Sequence, residues 1–565
     1  MHWMTNRRFL RFAAGIALLI AAALQVALIH LPTPHLTLLL ATGGILALLV
    51  GASDTVALTA DSWARWRDSG RRLVRQHGVA LAAVLAACLV GQIATLSQQP
   101  LVGLYPDSVE YLRFARRMLS SHQFTDTVRT PGYPAFLALL HSLAGKRPVI
   151  PLPPGVAVLP GGFTPGSGTV LSLIVWVQAA LMVIAALEVY VLAYRLSGRR
   201  WLAAFIAALV SVNVYALSFE RLILTETLCY WLIITIFLVF VFHLRQSSKI
   251  TYGLLAALSF ATIMVRPEYI FLPLLLLVIE ALWRLRGRAL GQNWKAIVLT
   301  FALVYALTAG YAVANGGATG YYGLGLTGEY TVLGKVLEAH YDFGMPLEAP
   351  APQYRRLNDA LLAYTQAGGD LSWEFALEHP QYNGQYARYS IEVLLAHPAY
   401  YSQVIARDTF LCWLAPQRLW APWQVGDTTR PALAAPAEQW SPYANLGTWT
   451  QWLFVVSDAS LLTYFALPAL LVILGVWAWR RVENPAAVAM LTLLLLTTAN
   501  ILVLGITDYS IEEFDRLRFP GDWAMTLVGV TALVELIIRL TRALRERRIS
   551  SLPAEQPVAQ DSATG

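Results

Sequence analysis

Six stretches of this sequence bring together side chains that could do chemistry. Asp107, Glu110 and Tyr111 sit in Tyr105-Pro106-Asp107-Ser108-Val109-Glu110-Tyr111, and Arg129 and Tyr133 in Arg129-Thr130-Pro131-Gly132-Tyr133-Pro134. Glu220, Arg221 and Glu226 fall within ten residues of one another, and Arg266 and Glu268 flank Pro267. Lys335, Glu338, His340 and Asp342 form a fifth group, and Glu512, Glu513, Asp515, Arg516 and Arg518 a sixth. A carboxylate can take a proton from a hydroxyl as a general base. An arginine offers a planar fork that matches phosphate oxygens. No Walker motif, dinucleotide fingerprint or HExxH spacing occurs. Cys88 and Cys229 lie in apolar runs and Cys412 in a long loop, so no disulfide framework or cysteine metal site can be built.

The elements that must hold these groups are membrane spans. The chain has 565 residues, 57% hydrophobic and only 13% charged, with mean hydropathy +0.54. Soluble domains carry about 25% charged residues. With 11% aromatic residues, disorder is excluded as well. A run of about 20 apolar residues crosses a bilayer as a helix. Twelve such runs are expected, at 9–30, 36–53, 78–97, 169–194, 200–218, 222–244, 251–265, 268–283, 296–316, 452–479, 485–507 and 521–541. The first follows Arg7, Arg8 and Arg11 but is long for a signal peptide and lacks a clear cleavage site, so it reads as an anchor. The pair interrupted at Arg266-Pro267-Glu268 reads as two spans rather than one broken span.

Alternate loops are basic. Arg65, Arg67, Arg71, Arg72 and Arg75, then Arg195, Arg199 and Arg200, then Arg284, Arg286, Arg288 and Lys295, then Arg480 and Arg481, and finally Arg542 to Arg548 share one side with the N-terminus. The positive-inside rule makes that side cytoplasmic, with both termini there. The net charge of +7 is then topology and calls for no nucleic-acid partner. Three loops face the other way, at about 98–168, 317–451 and 508–520. The stretch 148–168 is rich in Pro and Gly and is expected to be irregular. The long loop holds Trp373, Trp413, Trp420, Trp423, Trp440 and Trp449, with helices expected near 353–365 and 382–396. The tail from Ser550 is polar and expected to be disordered.

Asp107 can N-cap a helix with Glu110 as its capping-box partner, and Asp107, Glu110 and Tyr111 then share one face. Leu112, Ala115 and Leu119 give that helix an apolar stripe, fit for lying on a membrane surface. The Pro-Gly-Tyr-Pro turn sets Arg129 close to the same surface, ahead of a second helix from Ala135 to Leu143. Glu226 falls inside an apolar run, which marks it as a functional candidate. Plainer explanations stand beside these: Asp107 as a cap, Arg129 as an interfacial anchor, Glu226 paired with Arg221 or Arg266, Arg266 paired with Glu268, and Arg516 and Arg518 paired with Glu512, Glu513 and Asp515.

The order of these features resembles the GT-C superfamily of polytopic glycosyltransferases, which includes protein O-mannosyltransferases and lipid A aminoarabinose transferases. The shared pattern is a first external loop opening on an acidic residue, two helices along the membrane, many spans and a late external segment. It covers roughly 78–320 well and the rest by architecture. The resemblance implies an all-α polytopic fold and transfer of a sugar from a polyprenyl-phosphate-linked donor to an envelope acceptor, on the periplasmic side of a bacterial inner membrane. Asp107 matches the first-loop acidic residue and would be the base, with Glu110 next in line. Arg129, Tyr133, Glu220, Arg221, Glu226, Arg266 and Glu268 would contact substrate. Arg516 and Arg518 would hold the donor phosphate, and Lys335 could contact phosphate or acceptor. Many members carry two adjacent carboxylates where this chain has Asp107-Ser108, so a two-carboxylate metal site is not carried over; no cofactor is assigned, and a divalent metal is left open.

The chain then divides into a two-span N-terminal extension with a basic cytoplasmic loop (1–77), a GT-C-like core that includes the first external loop (78–316), an external loop domain (317–451), C-terminal spans (452–549) and the tail (550–565). A transporter or flippase for a lipid or solute is the competing reading, since twelve spans and an intramembrane Glu226 would suit it. No repeat relates the two halves, which counts against it. Sugar and acceptor are not legible.

Overall fold

The structure, a computed structural model, describes residues 60–98, 102–104, 106–144, 164–166, 169–286, 294–414, 453, 455–457, 462–480, 484–508 and 514–550. The expected spans 9–30 and 36–53, residues Glu512 and Glu513, Trp420, Trp423, Trp440 and Trp449, and the tail beyond Ser550 lie outside them.

The fold is helical, as expected, and the described parts of the ten remaining apolar runs fall almost wholly on helices. Among the described residues six are long and apolar enough to cross a membrane: Gln76–Thr95, Leu173–Ser197, Glu226–Arg245, Lys295–Thr319, Pro485–Thr507 and Arg516–Glu546. Two bent pairs raise the number to eight, Arg200–Ser211 with Val214–Glu220 at 55° and Val455–Phe465 with Leu467–Ala478 at 59°. The described residues leave out two of the expected spans, and the count of twelve is not confirmed among them. The two segments around Arg266 are helices of 17 and 15 residues, Lys249–Val265 and Leu272–Arg286, each short of the roughly 20 residues a span needs.

In chain order the first elements are α1 (Ala60–Gln98), β1 (Val102–Leu104), α2 (Pro106–Ser121), α3 (Gly132–Ala144), β2 (Thr164–Gly166) and α4 (Thr169–Ser197). Next come α5 (Arg200–Ser211), α6 (Val214–Glu220), α7 (Glu226–Arg245), α8 (Lys249–Val265), α9 (Leu272–Arg286) and α10 (Trp294–Thr319). Helix α1 absorbs the arginine-rich stretch expected as a loop, because Arg, Ala and Leu are good helix formers. β1 and β2 pair antiparallel, Val102 opposite Gly166 and Leu104 opposite Thr164. Part of the stretch expected to be irregular is thus a strand, and it ties the two ends of the first loop together.

Burial ranks the spans. In α4 and α7 the most apolar window is 78% buried, against 28% in Lys295–Thr319. The first two form the bundle centre. The last exposes Leu299, Leu303, Leu307 and Val313, as a lipid-facing helix must.

The long loop contains α11 (Thr327–Phe343), α12 (Arg355–Gln366), α13 (Ser372–Glu378), α14 (Tyr386–Ala396) and α15 (Pro398–Leu414). They close around their own core of Leu333, Leu337, Leu361, Phe375, Tyr389 and Val404. Gly344 ends α11 with φ +71°, a left-handed conformation that glycine adopts without a steric penalty. After α16 (Leu467–Arg480) and α17 (Pro485–Thr507), the short α18 (Phe514–Arg518) leads into α19 (Asp522–Ser550).

Candidate active site

Helix α2 begins two residues earlier than a cap at Asp107 would place it. Pro106 takes the first position, where its missing N–H costs nothing, and Asp107 lies in the first turn. Its carboxylate does not cap. One oxygen, Oδ1, accepts from Nη2 of Arg129 at 2.6 Å, and the other, Oδ2, accepts from Nη2 of Arg516 at 2.8 Å. Nε of Arg129 donates to Glu110 at 2.6 Å. Nε of Arg516 donates to Glu226 at 2.5 Å. Beyond Glu226, Nη1 of Arg266 stands 3.8 Å away, and Nε of Arg266 pairs with Glu268 at 2.5 Å. Four carboxylates and three guanidiniums therefore alternate from Glu110 to Glu268, drawn from five separate stretches of chain.

The chain is graded in depth. The Glu226 side chain is fully buried and Arg516 and Arg266 are nearly so, whereas Asp107 is 23% and Glu110 44% exposed. Burial alone would raise the Asp107 carboxyl; Arg129 and Arg516 outweigh it and hold the group well below the usual carboxylate range. Glu226 is the first residue of α7, where the helix dipole favours a negative charge. The Nη1 of Arg266 is buried with no hydrogen-bond partner among the described residues, and it stands 3.8 Å from Glu226.

Local sequence explains how Arg129 is presented. Asp126 accepts from the backbone N–H of Val128 at 2.7 Å and of Arg129 at 2.9 Å, and pairs with Arg117. This Asx turn went unread in the sequence, although an Asp three residues before an Arg was there to be seen. The N-terminus of α11 is fastened to the same loop: Leu326 N–H donates to Thr127 O at 2.8 Å, and the Thr327 hydroxyl to Val128 O at 2.9 Å. The Tyr111 ring lies 5.1 Å from the Arg129 guanidinium carbon, a cation–π distance. Gly132 is required by close approach, since a Cβ there would sit 2.5 Å from the backbone of Met264. That contact brings the Arg129 loop against the turn bearing Arg266.

Other expected site residues are placed differently. Tyr133 is fully buried and donates to Gln178 at 2.8 Å, so its hydroxyl faces a helix and not an opening. Glu220 is buried and accepts from Gln92 at 2.7 Å, and Arg221 is buried at the end of α6. Glu226 pairs with Arg516, and Arg266 stands next to the pair. Arg518, 1% exposed, donates to the carbonyls of Cys412 at 2.6 Å and Trp413 at 3.0 Å and to Asp522 at 3.2 Å. Its guanidinium also lies over the Tyr464 ring. Lys335 is fully buried between Asp408 and Glu338, with Arg407 joining Glu338, Asp342 and Asp408. His340 accepts from or donates to no carboxylate there; its Nδ1 meets Met345 O at 2.8 Å.

Among the described residues no three His, Cys, Asp or Glu side chains converge as metal ligands. Asp107 and Glu110 face Arg129, so the donor set at the head of α2 is built to be neutralised by guanidinium and does not fit a divalent ion.

The comparisons with known proteins bear on this arrangement. The family profile of dolichyl-phosphate-mannose-protein mannosyltransferases matches residues 82–312, which bears out the resemblance to GT-C enzymes over the region where it was drawn. That region includes Asp107, Glu110, Arg129, Glu226, Arg266 and Glu268 but not Arg516. No curated protein matches the sequence. Among solved structures, the archaeal oligosaccharyltransferase AglB from Archaeoglobus fulgidus, in complex with an inhibitory peptide and a dolichol-phosphate, is 11% identical with TM-score 0.41, covering 84% of this chain and 52% of that one. The apo form of the Archaeoglobus fulgidus oligosaccharyltransferase is 11% identical with TM-score 0.40, covering 82% of this chain and 52% of that one. The chain spans about half the length of these structures.

Proposed function

We propose that this protein is an integral membrane glycosyltransferase that moves a sugar from a polyprenyl-phosphate-linked donor to an envelope acceptor, on the periplasmic side of a bacterial inner membrane. The observation that carries this reading is Asp107 held between two arginines, at the partly exposed end of an ion chain whose other end is buried. The match to a lipid-phosphate-sugar-dependent family supports it. The external side is supported by the basic residues at the opposite ends of the same helices: α4 closes on Arg195 and α7 on Arg245.

In this reading the acceptor hydroxyl attacks the anomeric carbon. The C–O bond to the donor phosphate breaks and the phosphate leaves on the polyprenyl chain. The hydroxyl proton passes to Asp107. The leaving phosphate gathers charge, and Arg516 and Arg266 supply guanidinium donors where it would lie, the kind of preorganised stabilisation that acts on developing charge. A phosphate on Arg516 competes with Asp107 for the same fork. Donor binding therefore loosens one of the two clamps on Asp107 and makes it a stronger base. Arg129 keeps the other clamp and the orientation. Glu226 and Glu268 hold Arg516 and Arg266 in place from the buried side. The acceptor class, whether glycolipid, polysaccharide or protein, is left to experiment.

The test is transfer from a polyprenyl-phosphate sugar in reconstituted membranes. Asp107→Asn keeps the shape and removes the base, so transfer should fall by about 10³-fold, within the range general-base losses span. Wild-type transfer by Asp107→Asn would remove Asp107 from the mechanism. Mass spectrometry of envelope glycolipids and glycoproteins, with and without the protein, would name the acceptor.

A further inference from the structure

We infer that Gln178 is a positioning residue that sets the spacing between the two arms of the ion chain; this rests on the glycosyltransferase reading for its role, though not for its geometry. Gln178 lies in α4, five residues inside the span that starts at Leu173, and is fully buried. An amide in such a place is unfavourable unless its polar atoms are bonded. Here three bonds are made. Oε1 accepts from the Tyr133 hydroxyl at 2.8 Å, and Nε2 donates to Glu220 O at 2.9 Å and to Leu222 O at 2.8 Å.

The partners are what give this pattern meaning. Tyr133 belongs to the first turn of α3, four residues after Arg129. Glu220 and Leu222 form the break between α6 and α7, four residues before Glu226. Arg129 and Glu226 are the two groups that the chain joins through Asp107 and Arg516. One side chain thus bonds both chain segments that lead to the site, one through the Tyr133 hydroxyl and the other through the carbonyls of 220 and 222, from a helix at the bundle centre that contributes no charged residue to it. The Tyr133 ring packs edge-on to Tyr111 with centroids 5.2 Å apart, and Tyr111 lies under Arg129, so the Tyr133 end of the strut reaches the guanidinium. The Glu220 carboxylate is itself held by Gln92 of α1, which steadies the other end.

Misplacing a catalytic group by about an ångström can cost on the order of 10²-fold in rate. Gln178→Leu keeps volume and helix and removes all three bonds. It should lower kcat by about 10–100-fold while the KM for acceptor changes by no more than about three-fold. Tyr133→Phe removes one of the same bonds and should show a smaller loss that does not add to that of Gln178→Leu. Gln178→Glu keeps an acceptor for Tyr133 and lacks donors while ionised, so its activity should recover as pH falls and the carboxyl gains a proton to donate. A residue that only stabilised the fold would not produce that recovery. Hydrogen exchange supplies a readout independent of turnover: amides of 220–227 and of 129–136 should exchange faster in Gln178→Leu while those of α19 do not change.

The inference is overturned if Gln178→Leu keeps wild-type kcat, if kcat and KM deteriorate together in step with thermal stability, or if both segments keep their protection. Should the wild-type protein fail to transfer sugar from any polyprenyl-phosphate donor, the glycosyltransferase reading falls, and the exchange arm alone decides whether Gln178 sets the spacing.

Discussion

Two networks of alternating charge sit in different parts of this molecule and invite comparison. One runs from Glu110 through Arg129, Asp107, Arg516 and Glu226 to Arg266 and Glu268. The other joins Lys335, Glu338 and Asp342 of α11 to Arg407 and Asp408 of α15. The compositions are similar, but the wiring differs. The second network links two helices that pack around one core, and its centre, Lys335 with Asp408, is sealed from solvent. The first is gathered from five stretches, opens outward at Asp107 and Glu110, and keeps one guanidinium nitrogen of Arg266 without a hydrogen-bond partner among the described residues. A closed network can only hold its helices together. An open one with a donor to spare can exchange a carboxylate for a substrate anion. The difference teaches that charge alternation alone does not mark a site; assembly from distant segments and access to solvent do.

Mutations can break or sharpen this contrast, and Asp107→Asn, described above, has the largest expected effect. Next comes Arg516→Lys, which keeps the charge and loses the fork that serves Asp107 and Glu226 at once. It should lower kcat/KM by about 10²-fold with little change in thermal unfolding, and near wild-type kinetics would show that the fork is dispensable. Lys335→Met should do the reverse. Removing one partner of a buried pair costs about 3–5 kcal/mol, so the unfolding temperature should fall while kcat per folded molecule holds. Lys335→Met with Asp408→Leu should regain most of that stability, since a buried pair replaced by apolar side chains is often neutral. A specific loss of turnover in either variant would erase the contrast between the networks.

Glu110→Gln should have a smaller effect, a loss of about ten-fold or less, because a partly exposed pair is screened by solvent. Acid unfolding gives the gentlest test. The folded Asp107 carboxyl lies below its unfolded value of about 3.9, so it contributes stability above that pH and loses it as pH falls through the folded value. The gap in unfolding temperature between wild type and Asp107→Asn should be constant from about pH 5 to 8 and shrink only below about pH 4. A gap that shrank near neutrality would mean the two arginines do not clamp Asp107.

Much of the site was legible because charge is rare in an apolar chain. Glu226 inside an apolar run and Arg266 and Glu268 at an interruption stood out against their neighbours, and Asp107 and Arg129 flanked a helix with an apolar stripe. Arg516 and Arg518 could not be told apart, being two residues apart with the same chemistry. The fold sends Arg516 to Asp107 and Glu226 and turns Arg518 down to the carbonyl end of α15. Lys335 looked like a loop cation because its partner Asp408 lies 73 residues away. Gln178 gave no signal at all: a single amide in an apolar helix has neither charge nor spacing to single it out.

The amino-acid order by itself determined that the chain is helical and membrane-embedded, because unbroken apolar runs leave the backbone no other way to satisfy its hydrogen bonds in lipid. It also determined that carboxylates and arginines gather at one end of the spans. Which carboxylate meets which arginine was decided only by the tertiary structure. Asp107 and Arg516 are 409 residues apart and Glu226 and Arg516 are 290 apart. Periodicity and capping act over a few residues, and no local rule reaches that far; packing of α7 and α17 around α4, and the close contact at Gly132, bring those groups within bonding distance.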